Sequence, residues 1–170
     1  MTNSDEEKAY ELGKEYERIY RGCSQCVIAA LQDTFDIRND DVFKAATGLA
    51  AGGGATTEGS CGAFSGAVMV ISSLIGRPRG DFADSAKVNM KTFRLVRKLR
   101  DRFVQEYGSV VCRDVQTKVF GRAYYLADPE EFQKFEKAGA HEKHCPEIVG
   151  KAARWTAEII NEEGLLKART

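Results

Sequence analysis

The chain has 170 residues, with 25 Lys plus Arg against 25 Asp plus Glu, and so carries no formal net charge. That length predicts one domain able to bury a sizeable core without a disulfide or a metal to hold it. The charge balance speaks against a dedicated nucleic-acid binder and against an acidic disordered tail protein, and 43% hydrophobic with 29% charged residues is an ordinary globular mixture.

The start, Met1 to Glu7, is polar and acidic, without the basic and apolar segments of a secretory leader. Ala9, Leu12, Tyr16 and Ile19 then recur at helical spacing, and Gly22 ends this first helix. A second helix runs from about Cys23 to Phe35, and a short third follows Asn39-Asp40-Asp41, which can cap it. Gly52-Gly53-Gly54 and Ala55 to Gly59 form a loop. The apolar stretch from Gly62 to Ile75 is rich in small residues, too short to span a bilayer, and stopped by Gly76-Arg77-Pro78. The clearest helix spans about Phe82 to Tyr107, with Phe93, Val96, Leu99/Arg100, Phe103 and Tyr107 as its buried stripe. Lys87, Lys91, Arg94, Lys98 and Arg102 lie on its other face. Gly108 ends it, and Ser109 can cap the next, placing Cys112 at a third helical position. Asp128-Pro129-Glu130-Glu131 is a helix start with a cap, a first-turn proline and a capping box; Gly139 ends that helix. Cys145-Pro146-Glu147 opens the last, which runs past Trp155 and Ile159 to Gly164. No alternating run reads as a strand. The expectation is a single all-α domain over residues 1–170, a bundle of about six or seven helices, soluble and cytoplasmic.

Five cysteines in a reducing compartment are a poor disulfide framework and read better as reactive thiols or metal ligands. Each falls at or near a helix start: Cys23 and Cys26 on the second helix, Cys61 after the glycine-rich loop, Cys112 after Ser109, Cys145 before Pro146. Free amides and the helix dipole there are expected to lower a thiol pKa. Cys23 and Cys26 make a CxxC pair on one helix face, suited to a redox dithiol or half a metal site; chance burial of two small hydrophobes is the plain alternative. Val27 follows Cys26, so the CxxCH attachment of a covalent haem is excluded. In Cys61-Gly62-Ala63-Phe64-Ser65-Gly66-Ala67, glycines four apart on one face cost about 1 kcal/mol each inside a helix relative to alanine. Gly62 and Gly66 therefore make room for a partner helix, a cofactor or the other cysteines.

Gly22-Cys23-Ser24-Gln25, Gly52-Gly53-Gly54 with Cys61 to Gly66, Phe103 to Arg113 around Cys112, and Cys145 together resemble the C_GCAxxG_C_C family of redox-active proteins, from about Gly22 to Trp155. The resemblance makes Cys23, Cys61, Cys112 and Cys145 the family cysteines and Cys26 an addition. Similarity extends to part of split-Soret cytochrome c, which implies an iron–sulfur site.

Three functions compete. In the first, the four family cysteines converge, either exchanging electrons as dithiol and disulfide with a redox partner protein or small carrier, or holding an iron–sulfur cluster, for which four thiolates are the usual set. Cys61 is then the most activated sulfur, Cys23 its nearest partner, and Cys26 a resolving thiol. In the second, the site is structural zinc with four cysteines, or three and His144. In the third, the cysteines are structural in a scaffold whose basic stripe from Lys87 to Arg102 binds an acidic partner; a solvated helix face is the simpler reading. His141 and His144 are candidate proton carriers or loop residues, Arg113 a candidate thiolate partner near Cys112, Glu58 a surface residue near Cys61, and Trp155 core. Small-residue faces also fit a homodimer. Gly52-Gly53-Gly54 lacks the spacing of a phosphate-binding loop, and no serine-nucleophile motif is present.

Overall fold

A computed structural model describes residues 4–166, so Met1, Thr2 and Asn3 of the polar start lie outside the described residues. Eight α-helices follow one another: α1 Asp5–Tyr20, α2 Cys23–Phe35, α3 Asp40–Ala45, α4 Gly62–Ile75, α5 Val88–Tyr107, α6 Cys112–Phe120, α7 Pro129–Lys137 and α8 Cys145–Glu162. Short 3₁₀ turns lie at Thr47–Gly52 and Arg79–Asp81, and a π turn at Ala140–His144. Among the described residues there is no strand, and no helix is long and apolar enough to cross a membrane. The expected all-α single domain is what forms, with one or two more helices than the pattern suggested.

The apolar helices α2, α4 and α8 make the centre. Val27, Ile28 and Leu31 of α2 meet Ala63, Ala67 and Ile71 of α4 and Val149, Ala152 and Ala153 of α8 in one buried cluster. Helix α1 lies along α8 and α2, and α5 covers α4 and α8. Ser4 caps α1 by accepting from Glu7 N–H at 3.3 Å, and Asp5, Glu6 and Glu7 oppose the helix dipole. The fully buried stripe of α1 is Ala9, Gly13 and Glu17; Leu12 and Tyr16 are half-buried against the core, and Ile19, expected on the same face, is 58% exposed. The contact line is rotated because Gly13 crosses the backbone of Gly150 in α8, where an added Cβ would lie 3.2 Å from Gly150 Cα.

The long helix begins at Val88 rather than Phe82. Asp84 takes the free amides of Val88 and Asn89, and Asp81 those of Ser85 and Ala86, so the preceding residues form turns. The stripe of α5 is Thr92, Leu95, Leu99, Phe103 and Tyr107; Phe93 is 51% exposed and Arg100 is exposed. Three residues of the basic face find acids on the molecule itself. Arg94 and Lys98 pair with Glu163 at 2.7 and 2.5 Å, and Arg102 with Glu158 at 3.2 Å. Trp155 is half-buried and packs against Phe103 and Tyr107.

Asn39 caps α3 and Asp128 caps α7, as their sequence suggests. Glu131 does not close the capping box but turns to Lys134 and Arg122. A second, smaller apolar cluster of Tyr124, Phe135 and Ala140, with Phe120, Leu126 and Cys145 packed on it, closes the end of the bundle where the cysteines meet.

Candidate functional site

Cys23, Cys61, Cys112 and Cys145 all line one cavity of about 80 Å³. Roughly 10–15 Å³ on this measure suffices for one water, so the space exceeds what a single ion needs. Four separate segments deliver the sulfurs. Cys23 is the first residue of α2 and Cys61 caps α4. Cys112 is the first residue of α6, with Val111 rather than Ser109 at the cap position. Ser109 instead accepts from Val111 N–H at 3.0 Å and donates to Asp114. Cys145 opens α8, directly continuing the π turn.

The glycine-rich loop and the start of α6 are joined by an antiparallel bridge between Ser60 and Val111. Cys61 N–H donates to Val110 C=O at 2.7 Å, Cys112 N–H to Gly59 C=O at 2.9 Å, and Arg113 N–H to Thr57 C=O at 3.0 Å. These bonds set Cys61 beside Cys112. Gly52, at φ +77°, lets the loop fold this tightly: a Cβ there would collide with the Thr57 backbone and reach within 3.0 Å of Cys112 Cβ.

Gly62 and Gly66 do not line this cavity. They face α2. A Cβ on Gly62 would collide with Cys23 Sγ, and one on Gly66 with the Ser24 carbonyl. The room expected for a cofactor is taken by the partner helix and by Cys23 itself. Cys26 also lies apart from the four-cysteine cavity. Its thiol donates to Arg21 C=O at 3.1 Å, and it lines a second hollow with Tyr16, Tyr20 and Phe43. One helical turn thus sends Cys23 and Cys26 to different spaces. Arg113 is exposed beside Asp114, and Glu58 is exposed.

Backbone amides do reach the sulfurs: the helix-start N–H groups of Ala63 and Phe64 favour a Cys61 thiolate, and those of Ser24 and of Ala51 in the 3₁₀ turn a Cys23 thiolate. Burial outweighs them. It pushes the Cys61 and Cys112 thiols up to about 12, with the neighbouring Cys112 and Cys23 sulfurs, respectively, adding to the rise. It raises Cys23, Cys26 and Cys145 as well. The expected lowering fails because no lysine or arginine lines the cavity among the described residues, while the walls include Val115, Phe120, Leu126 and Ile148. Gln116 gives Cys112 its one side-chain donor, Nε2 to Sγ at 3.6 Å, and accepts from Tyr124 N–H at 2.7 Å.

Two further polar residues line the same cavity, Glu17 and His141. Glu17 is 1% exposed, and its Oε2 has no hydrogen-bond partner. Burial pushes its carboxyl up to about 7, against the pull of Cys26 and Arg21. His141 turns Nε2 to Glu17 Oε1 at 3.7 Å and Nδ1 to Glu136, which is paired with Arg21 at 3.0 Å. Among the described residues, the trio of cysteine, histidine and carboxylate ligand atoms lying within 4.8 Å of one another is Glu17, His141 and Cys145. His144 is not in it; its ring packs edge-on against Phe120. Sequence reasoning passes over Glu17 because a glutamate on a helix reads as surface. The signal was its place four residues beyond Gly13 and eight beyond Ala9, on the smallest-residue face of α1.

The sequence profile of a family described as "Putative redox-active protein (C_GCAxxG_C_C)" matches residues 22–159. Neither the curated proteins nor the solved structures show a match.

Proposed function

The chain belongs to the C_GCAxxG_C_C family, and on that premise we propose that it is an electron-transfer protein whose Cys23, Cys61, Cys112 and Cys145 hold an iron–sulfur cluster. The convergence of these four cysteines on one largely apolar cavity carries this reading. When bound, such a cluster takes up and releases an electron, and four thiolates are its usual ligands.

The donor set supports the fit. The buried Cys61 and Cys112 thiols, with no lysine or arginine on the cavity wall among the described residues, are held far from ionising at neutral pH, and a metal's own charge is what would draw the proton off. That same burial speaks against a nucleophilic dithiol, which needs an accessible, low-pKa thiolate. A lone zinc ion bound by four sulfurs would hold them about 3.8 Å apart, from a Zn–S bond near 2.3 Å. No three of these sulfurs lie within 4.8 Å of one another among the described residues, which favours a larger group. The chain's own contribution is exclusion of water by the apolar walls and a donor from Gln116 to the Cys112 sulfur, which tunes the potential upward. The electron comes from and goes to a carrier protein or small carrier, in the cytoplasm.

The test is iron and acid-labile sulfide content after anaerobic purification. Both are expected, with each of Cys23→Ser, Cys61→Ser, Cys112→Ser and Cys145→Ser removing more than half and Cys26→Ser sparing them. Zinc alone would sink the reading. So would a metal-free protein whose Cys61 and Cys112 alkylate at pH 8 as fast as in the unfolded chain, an outcome that supports thiol exchange.

A further inference from the structure

The geometry points to a second metal site at the edge of the cavity, in which Glu17, His141 and Cys145 hold one divalent transition-metal ion of zinc-like softness. It goes beyond the four-cysteine reading, sharing Cys145 with it but needing none of the other three sulfurs. Three observations carry it.

The first is spacing. The three ligand atoms lie within 4.8 Å of one another. Around a tetrahedral zinc, with Zn–N near 2.0 Å and Zn–S near 2.3 Å, ligand atoms stand about 3.3–3.8 Å apart. The Glu17 to His141 separation, 3.7 Å, already falls in that range.

The second is an orphan. Glu17 is almost wholly buried and faces the cavity; Oε1 looks toward His141, Oε2 accepts from no N–H or O–H, and the Cys26 thiol is the neighbour that acts on the carboxyl group. A buried carboxylate oxygen without a donor is costly, and a cation is the partner that satisfies it.

The third is the orientation of His141. Its Nδ1 meets the Glu136 carboxylate, which can only accept, so in the neutral ring Nδ1 carries the hydrogen. The lone pair is then on Nε2, which faces Glu17. Metal-binding histidines commonly have a carboxylate behind the ring in this way, and Arg21 holds Glu136 in place at 3.0 Å. The π turn that presents His141 is a distortion often found at functional positions.

Oxygen, nitrogen and one sulfur form a mixed set that suits zinc or iron(II) better than calcium or magnesium, which take oxygen alone. Three protein ligands would leave a fourth position for water or another ligand, and all three residues line the cavity that Cys23, Cys61 and Cys112 also line.

The experiment loads the full-length, reduced, metal-free protein with one equivalent of Zn²⁺ and reads the coordination shell by X-ray absorption. One sulfur at about 2.3 Å with nitrogen and oxygen at about 2.0–2.2 Å is expected. An all-sulfur shell, a shell without sulfur, or no binding overturns the site. Chelator competition supplies a second readout. Glu17→Gln and His141→Gln should each weaken Zn²⁺ binding at least tenfold, and Glu136→Gln by about tenfold or more through the ring it orients. Unchanged affinity in the first two overturns the site even if the shell is mixed. Iron and sulfide content decides the four-cysteine reading separately: a one-sulfur zinc shell in a protein that never takes up iron and sulfide leaves this site standing and removes the other.

Discussion

Two glycines four residues apart have different duties. A methyl on Gly66 would meet the Ser24 carbonyl, which is backbone and cannot swing aside, so α2 and α4 would have to separate. Gly66→Ala should cost about 1–3 kcal/mol in urea unfolding, the usual range for overpacking. A methyl on Gly62 would collide first with Cys23 Sγ, a side-chain atom that turns away at the expense of the site, while the Ala50 and Ser24 backbone atoms at 3.1 Å need give only slightly. Gly62→Ala should therefore lower iron content more than it lowers stability. Equal losses of both quantities in the two variants would contradict this division. The same residues show how far sequence goes. The cost of glycine inside a helix announced that room was needed, and nothing local could say that another cysteine filled it. Glu17 is the converse: its charge hid it, and only the packing of Gly13 on Gly150 turns that face of α1 inward.

At the scale of elements, Glu163 ties the end of α8 to α5. Arg94 and Lys98 beside it hold its carboxyl down at about 2, below the ordinary 4.5. A carboxylate whose pKa falls on folding contributes stability that is present above the unfolded value and is lost as pH drops through the folded one. Glu163→Gln should therefore lower the thermal midpoint by about 2 °C at pH 7, a modest effect for a partly exposed network. The gap between variant and wild type should close between pH 4.5 and 2. A gap that widens with acid would exclude the network as its source. Helix order and most ends were legible, because Asn39, Asp128, Gly108 and Gly139 act locally. The start of α5 was not, since Asp81 and Asp84 bind amides in turns that compete with helix. The bridge between Ser60 and Val111 was invisible, being a pairing of two loops about fifty residues apart.

At the scale of the molecule, the cysteines come from four segments, so the fold must be complete before the site exists. A ligand that binds only the assembled site stabilises the whole chain by mass action. Reconstitution with iron and sulfide should raise the thermal midpoint, and stripping the metal should return it. A midpoint indifferent to loading would mean that the ligands do not span the fold. The fold class and the four cysteines were legible in sequence, while the second ligand set was not, because Glu17, His141 and Cys145 share no motif and meet only where α1, the π turn and α8 adjoin. The small-residue face of α4 packs inside the chain, Gly62 on Cys23 and Gly66 on Ser24.

The π turn and α8 form one unbroken stretch of backbone, with Cys145 N–H bonded to Ala140 C=O. Cys145 and His141 are therefore not independent fingers but two teeth of one rigid comb. His141 is joined in turn to Glu136 and Arg21, whose side chains reach the outside of the protein. The buried site is thus joined to the surface, on the side where α1 ends, by an unbroken run of polar contacts from His141 through Glu136 to Arg21.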